Sequence, residues 1–186
     1  MDKLKLATGK VLISEPFMLD AHFKRTVVLL ADYHNEEGTV GFILNRKTLL
    51  KLSDVTSDFG DFDADVHYGG PVDQDSMYFI HNVGDLLDDS IQISRGVYWS
   101  GNYEKLKVLI QCQLIGAQNI RFYIGYSGWS SGQLEQEMTE QSWIISDMDP
   151  NFIFRSNPEH LWKDILDHKG YHFSALGQLE GDELMN

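Results

Sequence analysis

Gly128-Trp129-Ser130-Ser131-Gly132 is the segment whose residue types come nearest to catalytic chemistry. It fits Gly-x-Ser-x-Gly, in which a serine on a tight strand-to-helix turn presents its hydroxyl to a histidine base and to backbone N–H donors. Ser130 would be the nucleophile, and His160, His168 and His172 with Asp147, Asp149 and Asp164 follow it in the chain order of an α/β-hydrolase. Two features weigh against this. Only 56 residues follow Ser130, and the chain before it lacks regular βαβ units. Ser130 also precedes Gln133 at capping-box spacing, so its hydroxyl has a plainer use as a helix N-cap. Serine hydrolase chemistry is therefore the second reading of this sequence, not the first.

The other candidates are binding groups. Gly69-Gly70-Pro71 pairs backbone freedom with a fixed φ, so it reads as a tight turn, or as a loop whose N–H groups cradle an anion. In Gly125 to Glu135, Tyr126 and Trp129 stand between glycines, ahead of a helix whose free N–H groups suit a carboxylate or phosphate. Glu135 and Glu137 already occupy its first turns, where acidic side chains favour the helix dipole, and internal capping is the plainer reading. Asp61-Phe62-Asp63-Ala64-Asp65 imitates the start of a calcium loop, but Val66 and Val72 stand where glycine and a bidentate glutamate are required. The seven histidines show no ligand spacing within one element, so neither a metal nor another cofactor is implied. Cys112, between Leu109 and Ile115, reads as a core or near-core residue of a helix.

These residues need elements to hold them. Lys10 to Ser14, Thr26 to Ala31 and Thr39 to Leu44 are β-branched or aliphatic runs, and the latter two form a hairpin about Asn35-Glu36-Glu37-Gly38. Asp20 to Lys24 reads as a helical turn and Leu49 to Phe59 as a short helix. Further strands are expected over Ala64 to Tyr68, Ser76 to Asn82, Ile91 to Ser94, Val97 to Ser100, Asn119 to Tyr126, Trp143 to Ile145 and Phe152 to Phe154. Asn102 is the expected N-cap of a helix carrying Leu106, Leu109, Ile110 and Leu114 and ending at Gly116. A last helix starts from Asn157 with Pro158 at its first position and buries Leu161, Trp162, Ile165 and Leu166. Strand meanders with late helices predict an α+β fold: a large mixed, strongly curved sheet or flattened barrel with about three main helices against it. One domain over residues 1–176 is expected, with a mobile acidic tail over 177–186.

The 186 residues are 42% hydrophobic and 12% aromatic, ample for a core, and the longest apolar runs are far too short to cross a bilayer. No membrane partner is expected. The N-terminus lacks the apolar stretch of a secretory signal and Cys112 is the single cysteine, so a reducing, cytoplasmic setting is expected. The net charge of −13 is uneven, with eight Lys/Arg against six Asp/Glu over residues 1–51 and seven against twenty-two thereafter. Such a chain repels phosphate backbones. Lys24-Arg25 and Arg46-Lys47 with Lys51 are its candidate basic patches, no basic recognition helix is evident, and specific DNA binding is not expected.

Four patterns in order carry a resemblance: Gly9 to Pro16 continuing into Asp20 to Val28; Gly38 to Arg46; Tyr68-Gly69-Gly70-Pro71-Val72; and Gly125 to Trp129 with Gly132-Gln133-Leu134-Glu135. Together, over about residues 9 to 145, they resemble the AlgH/YqgE family of bacterial proteins. The resemblance implies a compact α+β domain around a large mixed sheet, and a regulator of unestablished biochemical activity, named for a genetic link to exopolysaccharide regulation. Lys47 departs from the family pattern, where proline commonly follows Asn-Arg. The sequence thus reads as a non-catalytic binding or regulatory protein with an unidentified protein or small-molecule partner. Its candidate surface comprises Asn45, Arg46, Gly69, Gly70, Pro71, Tyr126, Gly128, Trp129, Gln133 and Glu135, provided that the two glycine-rich segments are neighbours.

Overall fold

The computed structural model describes residues 5–155 and 157–169. The expected acidic tail and His172 lie outside the described residues. In chain order the elements are β1 (Lys10–Ser14), β2 (Val27–His34), β3 (Gly38–Ile43), β4 (Lys47–Lys51), α1 (Leu52–Val55), β5 (Asp65–Tyr68), β6 (Val72–His81), β7 (Ile91–Ser94), β8 (Val97–Trp99), α2 (Tyr103–Gln111), β9 (Ile120–Trp129), α3 (Gln133–Thr139), β10 (Trp143–Asp147), α4 (Asn151–Phe154) and α5 (Pro158–Lys169). The fold is α+β. Among the described residues ten strands form one sheet in the order β10-β1-β2-β3-β9-β6-β8-β7, with β4 on β5 and β5 on β9. β5 runs parallel to β9 while the other pairs are antiparallel, so the sheet is mixed; among the described residues its ends do not pair, and no barrel closes.

Side chains alternate across a strand, which explains the unbroken apolar run of β2. Val27, Leu29 and Ala31 join Val11, Ile13 and Phe42 on one face, where α5 lays down Leu161, Trp162, Ile165 and Leu166. Val28 and Leu30 join Leu12 and Ile43 on the opposite face, beneath Trp129, Trp143 and Leu134 of α3. Both faces of this half of the sheet are therefore covered. A third cluster packs Leu106, Leu109 and Ile110 of α2 on Val66, Phe79 and Phe122.

α2 begins as its sequence dictates, with Asn102 Oδ1 accepting from the Lys105 N–H at 2.9 Å. It ends earlier than expected. Gln113, at φ +58°, supplies the left-handed residue, its N–H donating to the Ile110 carbonyl and that of Leu114 to the Leu109 carbonyl. This is the Schellman closure normally made with glycine. Beyond it Leu114 is 59% exposed and Cys112 is exposed too, so neither is core and Gly116 is not the terminator.

Two further expectations are corrected. Leu49 to Phe59 is not one helix: its first residues are in β4, held to β5 by Thr48 Oγ1 donating to the Val66 carbonyl at 2.7 Å, and α1 is a single turn. Phe152 to Phe154 is helical, because the Asp149 carboxylate accepts the Asn151 N–H at 2.9 Å after Pro150 and starts a turn that an apolar triplet alone does not signal. At α5, Asn157 Oδ1 accepts the Glu159 N–H at 3.1 Å, as an N-cap should.

Candidate functional site

The motif residues meet where β9 changes partners. Residues Phe122 to Ile124 of β9 pair with β5, and Ser127 to Trp129 pair with β3 along the same edge. Gly69 lies at this fork: its N–H donates to the Ile124 carbonyl, and its own carbonyl accepts from the Ile43 N–H at 2.9 Å and from Ser127 Oγ at 3.0 Å. A Cβ on Gly69 would lie 2.2 Å from the Gly125 carbonyl oxygen, and one on Gly70, whose φ is +152°, 2.3 Å from Tyr126 backbone atoms. The two glycine-rich segments are therefore in direct contact. What the glycines permit is backbone against backbone; the N–H and carbonyl of Gly69 are consumed there.

Asn45 and Arg46 serve the fold in a similar way. Asn45 accepts the Val27 N–H at 2.8 Å and donates to the Arg25 carbonyl, while Arg46 Nη2 donates to the carbonyls of Ala21 and Lys24, both at 3.0 Å. They latch the turn at 20–25 onto the sheet. Arg46 also borders a shallow hollow of about 560 Å³ with His22, Tyr68 and Gln74, away from the cleft described next.

Tyr126, Gly128 and Trp129 line a cleft of about 410 Å³ together with Asp32, His34, Glu37 and Val72. His34 Nε2 lies 3.1 Å from Asp32 Oδ1, both half exposed. Tyr126 packs edge-on against Tyr78, whose hydroxyl donates to Asp73 Oδ2 at 2.7 Å. Burial, and then this bond to the carboxylate, push the Tyr78 phenol up to about 12, so it stays a donor. The cleft's charged rim is acidic. Sequence patterns gave no notice of Asp32, His34 and Glu37, because they belong to an ordinary hairpin and its turn.

Gln133, exposed, and Glu135, half-buried, are both spent on partners within the chain. Glu135 accepts from Tyr33 Oη at 2.6 Å, and burial, reinforced by this contact, raises the Tyr33 phenol to about 12. Gln133 Oε1 accepts from the Ser130 N–H at 3.0 Å and from Ser130 Oγ at 3.2 Å. The expected capping box is thus reversed: Ser130 is the donor, and the N-cap of α3 is Gly132, at φ +71°. Ser130 is not among the residues of positive φ, so the strained turn of a nucleophile is absent. His160 and His168 belong to α5, which covers the opposite face of the sheet from α3. A fluorophosphonate probe is expected to leave Ser130 unlabelled, and Ser130→Ala should lower stability by under about 1 kcal/mol, the worth of one exposed hydrogen bond; stoichiometric labelling would overturn this.

His81 and Ser90 are a second serine and histidine in contact, 3.2 Å apart, but Nε2 also meets the Ser100 carbonyl at 2.9 Å and Nδ1 accepts the Val83 N–H. Nε2 must then carry the proton, and the imidazole is no base for Ser90. Two of the three calcium-like acids are committed to lysines, Asp63 to Lys51 and Asp65 to Lys47 and Lys51, at 2.7 to 2.9 Å. Among the described residues no three His, Cys, Asp or Glu side chains converge as metal ligands. A further hollow of about 520 Å³ lies between β10, α4 and α5; residues 156 and 170 onward, which adjoin it in sequence, are outside the described ones.

His67 of β5 is 5% exposed, and burial, with the charge of Arg121, pushes its imidazole down to about 3 from 6.5. The folded state excludes a proton that the unfolded chain binds, so this contribution is complete above about pH 6.5 and is lost as pH falls toward about 3, at up to ~1.4 kcal/mol per unit. Between about pH 7 and about pH 5, urea melts should therefore show wild type losing about 2 kcal/mol more than His67→Gln. Equal losses would place His67 in contact with water.

The comparisons agree with this architecture. A family profile described as AlgH-like matches residues 11–174. A UPF0301 protein of Cytophaga hutchinsonii is 41% identical over 182 residues, covering 97% of this chain and all of the relative, and one of Chlorobium limicola is 43% identical over 166 residues, covering 89% and 88%. The solution structure of the AlgH protein from Pseudomonas aeruginosa superposes with a TM-score of 0.72 at 26% identity, over 94% of this chain and 97% of that one. A crystallised Corynebacterium diphtheriae protein shares the fold, with a TM-score of 0.77 at 20% identity over 95% and 94% of the two chains. Shared sequence along most of its length and a shared fold lead to one conclusion: this chain belongs to the AlgH-like family.

Proposed function

We propose that this protein is a non-catalytic binding protein, regulatory through its partner, whose docking surface is the cleft beside the fork. The observation that carries this is the composition of the cleft: a half-buried Tyr126 ring and an exposed Val72 bordered by the carboxylates of Asp32 and Glu37. An apolar patch within an acidic rim suits a partner offering a basic group on an apolar stem, which is the chemistry of a lysine- or arginine-bearing protein segment. Asp73 and Asp75, both exposed just after Val72, extend the same charge. Duplex DNA is disfavoured by that field. No helix among the described residues is long and apolar enough to cross a membrane, and with a single cysteine in the chain we assign the protein to the cytoplasm.

The test is fluorescence anisotropy with a labelled peptide of alternating arginine and tryptophan, against its glutamate counterpart. Saturable binding of the basic peptide is expected, weakened about tenfold or more in Tyr126→Ala and in Asp32→Asn with Glu37→Gln. Duplex DNA should not be retained at about 200 mM salt. Unchanged affinity in both variants, or equal binding of the acidic peptide, would remove the cleft from consideration.

A further inference from the structure

The parallel pairing of β5 with β9 sets His67 opposite Tyr123, their rings 5.8 Å apart, and Arg121 shares a face of β9 with Tyr123. β4 brings Lys47 and Lys51 alongside. The result is a pocket of about 280 Å³ lined by Lys47, Lys51, Asp63, Asp65, His67 and Arg121. Both lysines have carboxylate partners, but Arg121 does not: among the described residues no carboxylate lies within 4.0 Å of it, its Nη1 donates to the Leu44 carbonyl at a long 3.4 Å, and its other polar neighbour is the neutral Tyr123 hydroxyl. In a chain with 28 acidic and 15 basic side chains, a half-buried guanidinium without a carboxylate is a departure from ordinary pairing.

Polar groups around it are also left unmatched. His67 Nδ1 and the hydroxyl of Tyr123 are both buried, and among the described residues neither makes a well-formed hydrogen bond; the Phe122 backbone and Arg121 are their nearest polar neighbours. His67 stays neutral, so three cations face two carboxylates and the pocket keeps one net positive charge within a chain of −13. A planar guanidinium offers paired N–H donors that match the two oxygens of a carboxylate or phosphate. We propose that this pocket binds a small oxyanion, with Arg121 as its bidentate anchor and Lys47 as the second positive contact. Its volume admits a phosphate or a short carboxylate. This site is separate from the acidic cleft, and the two readings stand or fall independently.

Nitrogen-15 NMR titrations with inorganic phosphate and with succinate, at ionic strength held constant by sodium chloride, test the proposal. At least one anion should give saturable shifts at amides lining the pocket, with half-saturation at about 1 mM or below, and the anion that saturates identifies the ligand class. Arg121→Gln should weaken binding about tenfold or more and Lys47→Gln less, the latter keeping the test valid if the former does not fold, since Lys47 is half exposed. No saturation with either anion, the same shifts from chloride alone, or wild-type affinity in the folded variants would overturn it.

Discussion

Gly69→Ala is expected to destabilise the protein by about 3 kcal/mol or more, although it adds a single methyl group. The reason is the identity of the colliding atom. The new Cβ would stand 2.2 Å from the Gly125 carbonyl oxygen, a backbone atom of β9 that cannot rotate aside as a side chain would, with Phe42 at 3.1 Å behind it. Relief requires parting β5 from β9 at the point where β3 also joins, so the bonds that Gly69 makes to Ile124, Ile43 and Ser127 go together. Gly70→Ala should cost as much, since a similar collision is joined there to a φ of +152°. The comparison is Gly60→Ala, at φ +58° with no atom within 4 Å, where only the left-handed backbone penalty of about 1 kcal/mol applies. Urea melts that ranked Gly69→Ala level with Gly60→Ala would mean the fork can open, and that Gly69-Gly70-Pro71 is a surface loop after all.

The same residues show how far the sequence could be read. Local chemistry was legible: the apolar run of β2, the Asn102 cap of α2 and the Asn157-Pro158 start of α5 are each decided by side chains within a few positions of one another. The resemblance rested on the right segments, but their convergence at one fork depends on pairings between residues more than 50 apart, such as Tyr68 with Ile124, which no short pattern encodes. Phe152 to Phe154 failed because three apolar residues fit a strand or one helical turn equally well. Ser130 and Gln133 had the correct spacing for a cap and the wrong polarity, because spacing cannot say which group donates. Of the ten candidate residues, Tyr126, Gly128 and Trp129 line the cleft, while Gly69, Gly125's neighbour, and the latch residues Asn45 and Arg46 serve the fold. The carboxylates of the cleft went unread since acidic residues in a hairpin turn are commonplace.

Trp129→Ala should cost about 3–5 kcal/mol, the range of large aromatic truncations in a core. Although Trp129 borders the cleft, its side chain is committed to the interior: it is 4% exposed, stacks near Phe23 at 6.0 Å and meets Trp143 edge-on at the same distance. Its indole N–H donates to Glu137 Oε2 at 2.9 Å, and that oxygen accepts the Trp143 indole as well, at 2.7 Å. One carboxylate of α3 therefore ties the end of β9 to the start of β10. Glu137→Leu should follow with a loss of about 2–4 kcal/mol, because it leaves two indole donors in an apolar setting without an acceptor. Truncating Trp129 and Glu137 together should cost less than the sum of the single changes, since the pair shares one bond. Were Trp129 a wall for a ligand instead, its removal would weaken peptide binding and leave the melt within about 1 kcal/mol of wild type. Tyr126→Ala, which removes a half-buried ring packed on Tyr78, should weaken peptide binding and cost clearly less stability than Trp129→Ala, and the contrast between the two aromatics in one melt and one titration separates scaffold from surface.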